Sequence, residues 1–488
     1  MRNLTMLTDL YQLTMMYGYQ KCGMRNNRAV FDMFYRNTGD VTQYAIMAGL
    51  EQLIDYIKNL RFDEDALNYL TSLNLFDAQF IAALRDFRFT GDIYAVPEGT
   101  IVFPGEPLIR VSAPIFEAQL IETALLNIIN HQTLIATKAS RVVQAAQGGS
   151  ILEFGLRRAQ GPDAGIYGAR AAIIGGCDAT SNVLTGEMFG IPIKGTHAHS
   201  WVMSFPTELD AFRAYAKFFP TSCLLLVDTY DTLKSGMPNA ITVFRELRAQ
   251  GYEPAGIRLD SGDLAYLSRE ARRMLDEAGF PEAKICASGD LDEMLIRDLK
   301  LQGACIDIWG VGTKLITSAD CPALGGVYKL SARRASETDP WTPVVKLSEQ
   351  PYKRTIPGVQ RVRRYYDGFG GPVCDMIYDE DHLAGEGSAR GNTLVAVNDA
   401  ALVTDVSELE YRELLVPIVR DGSAVAPRES IQDARERCAW ALDHLDAAFK
   451  RFLYPQTYVV GMEQGLAQVR DELVRKNMAA ASAFPWAH

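Results

Sequence analysis

Apolar positions in the first 90 residues recur at helical spacing. Leu50, Leu53, Ile54, Ile57 and Leu60 form one face, and Phe80, Ile81, Leu84 and Phe87 form another. Side chains three and four apart share a helix face, so this segment reads as helical. At Gly91 the pattern changes. Gly and Pro punctuate the short apolar runs IYAV, TIVF and PLIRV up to Pro114, which read as strands and turns. A long helical pattern follows from Ala118 to Gln147.

The middle of the chain has a different rhythm. Short β-rich runs at Ser150–Phe154, Ile191–Gly195, Cys223–Asp228, Gly256–Asp260, Lys284–Ser288 and Ile306–Gly310 mostly precede helical stretches. Asp228 and Asp260 are 32 positions apart, and Asp260 and Ser288 are 28 apart, the length of one strand-helix unit returning to a parallel neighbour. Near-continuous apolar runs such as LLLVD fit a parallel sheet covered on both faces. One intervening helix is expected from about Leu264 to Ala278, with Leu264, Leu267, Ala271, Met274 and Leu275 inward, and another from Asp292 to Leu301. Six or seven such units point to a closed or nearly closed α/β barrel, with a doubly wound open sheet as the competing layout. After Trp341 the runs VVKLSEQ, QRVRRYY and PVCDMIYDE read as strands, followed by a helix from Ser430 to Phe452. The expected division is a barrel over 141–340, with 1–140 and 341–488 forming a second α/β domain from both chain ends.

Hydrophobic residues make up 48% and charged residues 22% of the 488, which excludes global disorder and permits a large core. The 60 acidic and 49 basic residues leave a formal charge of −11. That argues against a dedicated nucleic-acid binder, but a few arginines can reverse the field inside one cleft and admit a small anionic substrate. The eight cysteines form no CxxC pair and have no zinc-ligand spacing; they read as reduced core thiols in a reducing, cytoplasmic compartment. The N-terminus shows no apolar leader. The apolar stretch from Leu120 to Ala136 carries Glu122, Asn127, Asn130 and His131, so no membrane span is expected.

Ligands of parallel α/β sheets bind at the carboxyl ends of the strands. There the sequence places Glu153 to Arg158, Gly195 to Ser200, Asp228 to Thr232, Arg258 to Asp263, Ala287 to Asp290 and Gly310 to Thr313. Helix capping accounts for about half of the claim of any single Asp or Ser, since these residues commonly start the next helix. The Gly-bearing turns Ser288-Gly289-Asp290 and Gly310 to Thr313 (with Gly312) are candidate phosphate cradles, where backbone N–H groups approach an anion. Arg157 and Arg158 follow a strand end directly; adjacent loop arginines are more often solvated than functional, but at a barrel mouth they suit a two-pronged grip on carboxylate or phosphate. Arg258 shares a strand face with Asp260, which marks either an internal ion pair or a substrate contact. His197 and His199 lack a third zinc ligand nearby, and the polar GTHAHS context favours nucleophilic or proton-transfer work over a core role.

These residues carry a resemblance. TDLYQLTM around Tyr11, EFGLRRAQGPDAG from Glu153, GTHAHSWVMSF from Gly195, VDTYDT from Val227, IRLDSGDL from Ile257, and GVGT followed by GGVYKL from Gly325 stand in the order seen in nicotinate phosphoribosyltransferases. The chain resembles that family from about residue 5 to at least 370. The resemblance implies the type II phosphoribosyltransferase fold, an irregular α/β barrel plus a second α/β domain from both chain ends. It implies that nicotinate and phosphoribosyl pyrophosphate give nicotinate mononucleotide and pyrophosphate. This is glycosyl transfer in NAD salvage, coupled to ATP as co-substrate through a phosphohistidine. By motif position the phosphorylated residue is His199. Tyr11, Thr196 and Arg258 match nicotinate-binding positions, and Thr313 matches one that binds the phosphoribosyl substrate. Tyr11 would come from the neighbouring subunit of a homodimer. From their chemistry, Phe154 is expected to stack on the pyridine, Asp260 to face the ribose, and Mg²⁺ to bridge the pyrophosphate. The nicotinamide-using relative is the nearest rival. Quinolinate phosphoribosyltransferase fits less well, and a catalytically silent barrel would not need this set.

Overall fold

In the computed structural model, which describes residues 3–36, 43–348, 350, 353–383 and 391–482, six short strands between residues 150 and 311 pair in parallel. They are β1 (Ser150–Glu153), β2 (Ala179–Thr180), β3 (Leu224–Leu226), β4 (Gly256–Leu259), β5 (Lys284–Gly289) and β6 (Ile308–Val311). Their order in the sheet is β2-β1-β6-β5-β4-β3. Between the two outer edges runs the segment that the sequence marks as a strand at Ile191–Gly195. Only one residue of it bridges, Ile193 to Thr180 of β2. On the other edge the Leu226 N–H of β3 donates to His197 Nε2 at 3.2 Å. A side chain therefore completes the ring where a backbone ladder would otherwise stand, and the irregularity of the barrel lies at this seam.

The covering helices are set by local chemistry. Asp263 caps the helix Leu264–Glu277 by accepting from the Tyr266 N–H, and Asp292 caps Glu293–Leu301 by accepting from Leu295. On the first, Ala265, Ser268, Ala271 and Leu275 are the buried face; Leu264, Leu267 and Met274 lie half-buried beside it. These loops anchor each other. Lys314 Nζ meets Asp292 at 2.6 Å, and the buried Glu293 holds Arg141 at 2.8 Å and Lys138 at 2.7 Å.

This barrel is one of two compact units and comprises residues 134–322; the other joins 1–133 to 323–488. The boundaries expected at 140 and 340 thus stand elsewhere. The difference has a cause: Gly326–Arg334, first given to the barrel, pairs antiparallel with Arg28–Tyr35. Arg28–Tyr35 also corrects the all-helical reading of the first 90 residues. It lies between Gly326–Arg334 and Ile109–Pro114 in a seven-stranded sheet, and five consecutive residues of it are buried. A strand covered on both faces shows no alternation, so its pattern does not separate it from a helix.

A second, six-stranded sheet in this unit includes Gln360–Tyr366, Pro372–Asp379 and Val459–Glu463. Of the strand expected at VVKLSEQ, none of the described residues is extended in a ladder; only Thr342–Pro343 before it pairs. The expected helix at 430–452 runs from Ile431 to His444. Inside this unit Arg364, with 4% of its side chain exposed, grips both oxygens of the buried Asp375 at 2.8 and 2.6 Å. It also donates to the Ile101 carbonyl at 2.8 Å, and the Tyr458 hydroxyl donates to Asp375 at 3.0 Å. Burial, reinforced by the Asp375 charge, raises the neighbouring Glu106 carboxyl well above the usual range. None of the eight cysteines forms a disulfide; Cys177, Cys223, Cys286, Cys374 and Cys438 are buried as core thiols, while Cys22 is exposed. Among the described residues no helix is long and apolar enough to cross a membrane.

Candidate active site

At the carboxyl end of β4 the alternation of a strand decides which side chains face the barrel mouth. Arg258 and Asp260 share that face but do not pair with each other. Arg258 Nη1 donates to Thr196 Oγ1 at 2.6 Å, and its Nε is buried with no protein acceptor. Asp260 accepts from the Ser288 hydroxyl at the end of β5. One strand over, Asp228 organises the turn: its Oδ2 accepts from the Asp260 N–H at 2.9 Å and from Ser261 Oγ at 2.6 Å. Three acidic residues therefore have identifiable structural duties, Asp263 and Asp292 as caps and Asp228 as a turn brace. Asp260 presents its carboxylate to the cavity.

Two glycines set the floor. Gly289 has φ +121°, a conformation that L side chains rarely adopt, and an added Cβ there would come within 3.0 Å of the Asp260 carbonyl. At Gly310 a Cβ would lie 2.6 Å from the Phe154 ring, so only glycine leaves this aromatic its place. Phe154 is held from below, its N–H donating to the Val311 carbonyl at 2.8 Å. Next to it Glu153 is fully buried. It accepts from Thr180 Oγ1 at 2.6 Å and from the Gly155 N–H, and burial raises its carboxyl above the ordinary value. Glu153 thus fixes the turn that carries Arg157 and Arg158, which is wound as a short 3₁₀ helix, Leu156–Arg158.

The two histidines of GTHAHS have opposite surroundings. His197 is buried, with its ring 4.7 Å from that of Tyr215 and its Nε2 accepting at the barrel seam. Burial pushes its pKa down to about 4, so it stays neutral. This corrects the reading that disfavoured a core role for it: the polar context of the motif conceals a ring packed on aromatics. His199 has 39% of its side chain exposed. Its Nδ1 lies 3.2 Å from Thr229 Oγ1, and its Nε2 lies 3.9 Å from Asp260 Oδ2. It is held at the rim by two oxygens, one neutral and one anionic.

These strand ends enclose a cavity of ≈ 480 Å³, within the range of small-molecule sites. Of the residues singled out from sequence, Phe154, Arg157, Thr196, Arg258, Asp260, Ser288, Gly289, Gly312 and Thr313 line it. His199 does not line the cavity itself but reaches Asp260, which does. Tyr11 is not among the lining residues. It belongs to the other unit, exposed on the helix Leu10–Lys21. The strand-end rule also picks out Arg158, His197 and Asp290, and all three line the cavity. Ser181 escaped it, because β2 is two residues long and has no readable pattern. Arg157, Arg158 and Arg258 against Asp260 and Asp290 make the mouth cationic in a chain whose net charge is −11. Among the described residues no group of three or more His, Cys, Asp or Glu could hold a metal by itself.

Comparison with known proteins agrees with this arrangement. Family models described as the nicotinate phosphoribosyltransferase (NAPRTase) N-terminal and C-terminal domains match residues 6–130 and 359–470. A nicotinate phosphoribosyltransferase of Bacillus subtilis is 52% identical over 467 residues, covering 95% of this chain and 93% of that protein. The Homo sapiens protein of the same name is 31% identical over 527 residues, 96% of each. The crystal structure of human nicotinic acid phosphoribosyltransferase superposes with a TM-score of 0.83 at 29% identity, over 96% of this chain and 99% of that one. A nicotinate-nucleotide pyrophosphorylase from Pyrococcus furiosus shares the fold, with a TM-score of 0.69 at 21% identity over 91% of this chain and 96% of that one. With a type II phosphoribosyltransferase fold and this extent of identity, the chain belongs to the nicotinate phosphoribosyltransferase family of enzymes.

Proposed function

We propose that the cavity joins nicotinate to phosphoribosyl pyrophosphate as a step of NAD salvage, and that ATP assists through transient phosphorylation of His199. The observation that carries the first part is Arg258, a guanidinium anchored to Thr196 by one N–H with its buried Nε still unpaired, in a cavity that Phe154 also lines. A planar pyridine carboxylate satisfies both features: its carboxylate accepts from the free guanidinium edge, and its ring lies against Phe154. The neutral amide of nicotinamide would leave the cation uncompensated.

The reaction needs little proton chemistry. The pyridine nitrogen lone pair forms a bond to the anomeric carbon, the bond from that carbon to the pyrophosphate oxygen breaks, and pyrophosphate leaves with the electron pair. The ribose passes through an oxocarbenium-like state. Asp260, held by Ser288, places negative charge where that cation develops and can accept from ribose hydroxyls. The turns at Gly289 and Gly312–Thr313 offer backbone N–H groups to phosphate oxygens, with Arg157 at the mouth. Mg²⁺ fits a site with few carboxylates, because it prefers substrate phosphates with one or two protein oxygens. Asp260 and Asp290 are the available donors, and the ion would neutralise the pyrophosphate charge.

In the coupled step the γ-phosphoryl group moves from ATP to the His199 imidazole with loss of ADP; water later releases it as phosphate. Thr229 and Asp260 orient the ring for this. The added charge beside Asp260 would tighten magnesium and substrate. Tyr11, exposed on its helix, would complete the nicotinate site of a neighbouring subunit in a homodimer. The test of the coupling is transfer of label from γ-labelled ATP. Wild type is expected to carry acid-labile phosphate and to turn over faster with ATP. His199→Ala is expected to carry none and to lose the stimulation while keeping a basal rate. Full ATP stimulation in His199→Ala would refute the role.

A further inference from the structure

A second cavity, of ≈ 240 Å³, shares no lining residue with the first and lies within the unit built from both chain ends. Its lining includes the apolar Ile101, Leu414 and Val416 and, carrying charge and aromatic rings, Arg412, Tyr366 and Trp440. The lining arginines differ in how they are compensated. Arg364 is neutralised by Asp375, and Arg437 pairs with Glu429. The one acidic lining residue, Glu413, is engaged by Arg363 at 2.9 Å and by the Tyr378 hydroxyl at 2.9 Å. Arg412 has no ion pair or hydrogen bond among the described residues.

Arg412 also stands directly opposite Arg364 across the antiparallel pair Gln360–Tyr366 and Glu410–Glu413. Arg364 already has its anion in Asp375, whereas Arg412, on the exposed side of the pair, has none among the described residues. Its guanidinium lies over the Tyr366 ring at 5.2 Å and the Trp440 ring at 5.7 Å from the centroids. Rings cover the faces of a guanidinium and leave its N–H edge free, the edge that matches a carboxylate. Trp440 is 42% exposed, with the His444 ring stacked on one of its faces at 4.2 Å.

We propose that this cavity binds a monocyclic aromatic carboxylate, with the carboxylate on the edge of Arg412 and the ring among Trp440 and the apolar lining residues. The volume is below the roughly 300–1,000 Å³ of sites for drug-sized ligands, so a single ring fits and a nucleotide does not. The proposal does not depend on the chemistry assigned to the barrel cavity.

Tryptophan fluorescence of the full chain, titrated with benzoate and with neutral benzamide, tests it. A saturable change is expected with benzoate, at least tenfold weaker with benzamide and in Arg412→Gln, and absent in Trp440→Phe. It should persist in Arg258→Ala, which disables the barrel cavity, and Arg412→Gln should turn over like wild type. An equal response to benzamide, or one surviving Arg412→Gln or Trp440→Phe, overturns the proposal. So does loss of the response in Arg258→Ala, which would locate it in the barrel. Loss of turnover in Arg412→Gln would place Arg412 in the reaction and overturn it as well.

Discussion

Two regions of this protein set an arginine and an aspartate near each other, one pair fully buried and the other half-buried, and they put the charges to different uses. In the unit formed by the chain ends, Arg364 and Asp375 face each other, bidentate and closed to solvent, with the Ile101 carbonyl and the Tyr458 hydroxyl taking up further valences. At the mouth of the barrel, Arg258 and Asp260 lie on one strand and avoid each other. Each holds a hydroxyl, Thr196 or Ser288, and keeps part of its capacity unused. A buried charge pair that closes on itself specifies structure. One that is held apart by neutral partners stays available to a ligand.

Substitutions that cross the two regions sharpen this distinction. The largest effect on stability is expected from Asp375→Ala, which strands the Arg364 charge in the interior and should cost about 3–5 kcal/mol. A urea midpoint checks it, and activity per folded molecule should be unchanged. Arg258→Ala should do the reverse: the nicotinate KM rises about a hundredfold for roughly 3 kcal/mol of charge-assisted bonding, while the urea midpoint moves by under about 1 kcal/mol. A large stability loss in Arg258→Ala would erase the contrast.

His197 offers a third comparison. Folded, its pKa is down to about 4, whereas the unfolded chain takes up the proton near 6.5. Its contribution is therefore full above pH 6.5 and is lost as pH falls toward about 4, in all roughly 3 kcal/mol. His197→Gln keeps an acceptor for the Leu226 N–H and should flatten this acid limb in urea midpoints measured from pH 7 to 4 (compared with wild type). The smallest effect is expected at Ser288: Ser288→Ala removes one hydrogen bond to Asp260 and should lower kcat less than tenfold, about 1 kcal/mol.

The barrel was legible in the sequence because each of its longer strands is a short apolar run ending in polar residues, repeated at the length of a strand-helix unit. The site was legible for the same reason, since the ends of such strands converge. What escaped was nonlocal. Arg28–Tyr35 is buried on both faces and gains its identity from Gly326–Arg334, some 300 positions later. The strands after residue 390 are three to five residues each or shorter, too brief to show a period. His197 was misjudged because its partners, Tyr215 and the Leu226 N–H, are supplied by other elements of the barrel. The division between a capping aspartate and one that faces the cavity also needed coordinates, since Asp260 and Asp263 sit three residues apart and differ only in what each oxygen meets.

The central claim is that the open pair at the barrel mouth selects an acid and that His199 links it to ATP. Pyrophosphate release from phosphoribosyl pyrophosphate with Mg²⁺, comparing nicotinate with nicotinamide, each with and without ATP, tests it most directly. The account predicts turnover with nicotinate, raised by ATP, and little with nicotinamide. Turnover with nicotinamide alone would contradict it and remove the carboxylate grip assigned to Arg258.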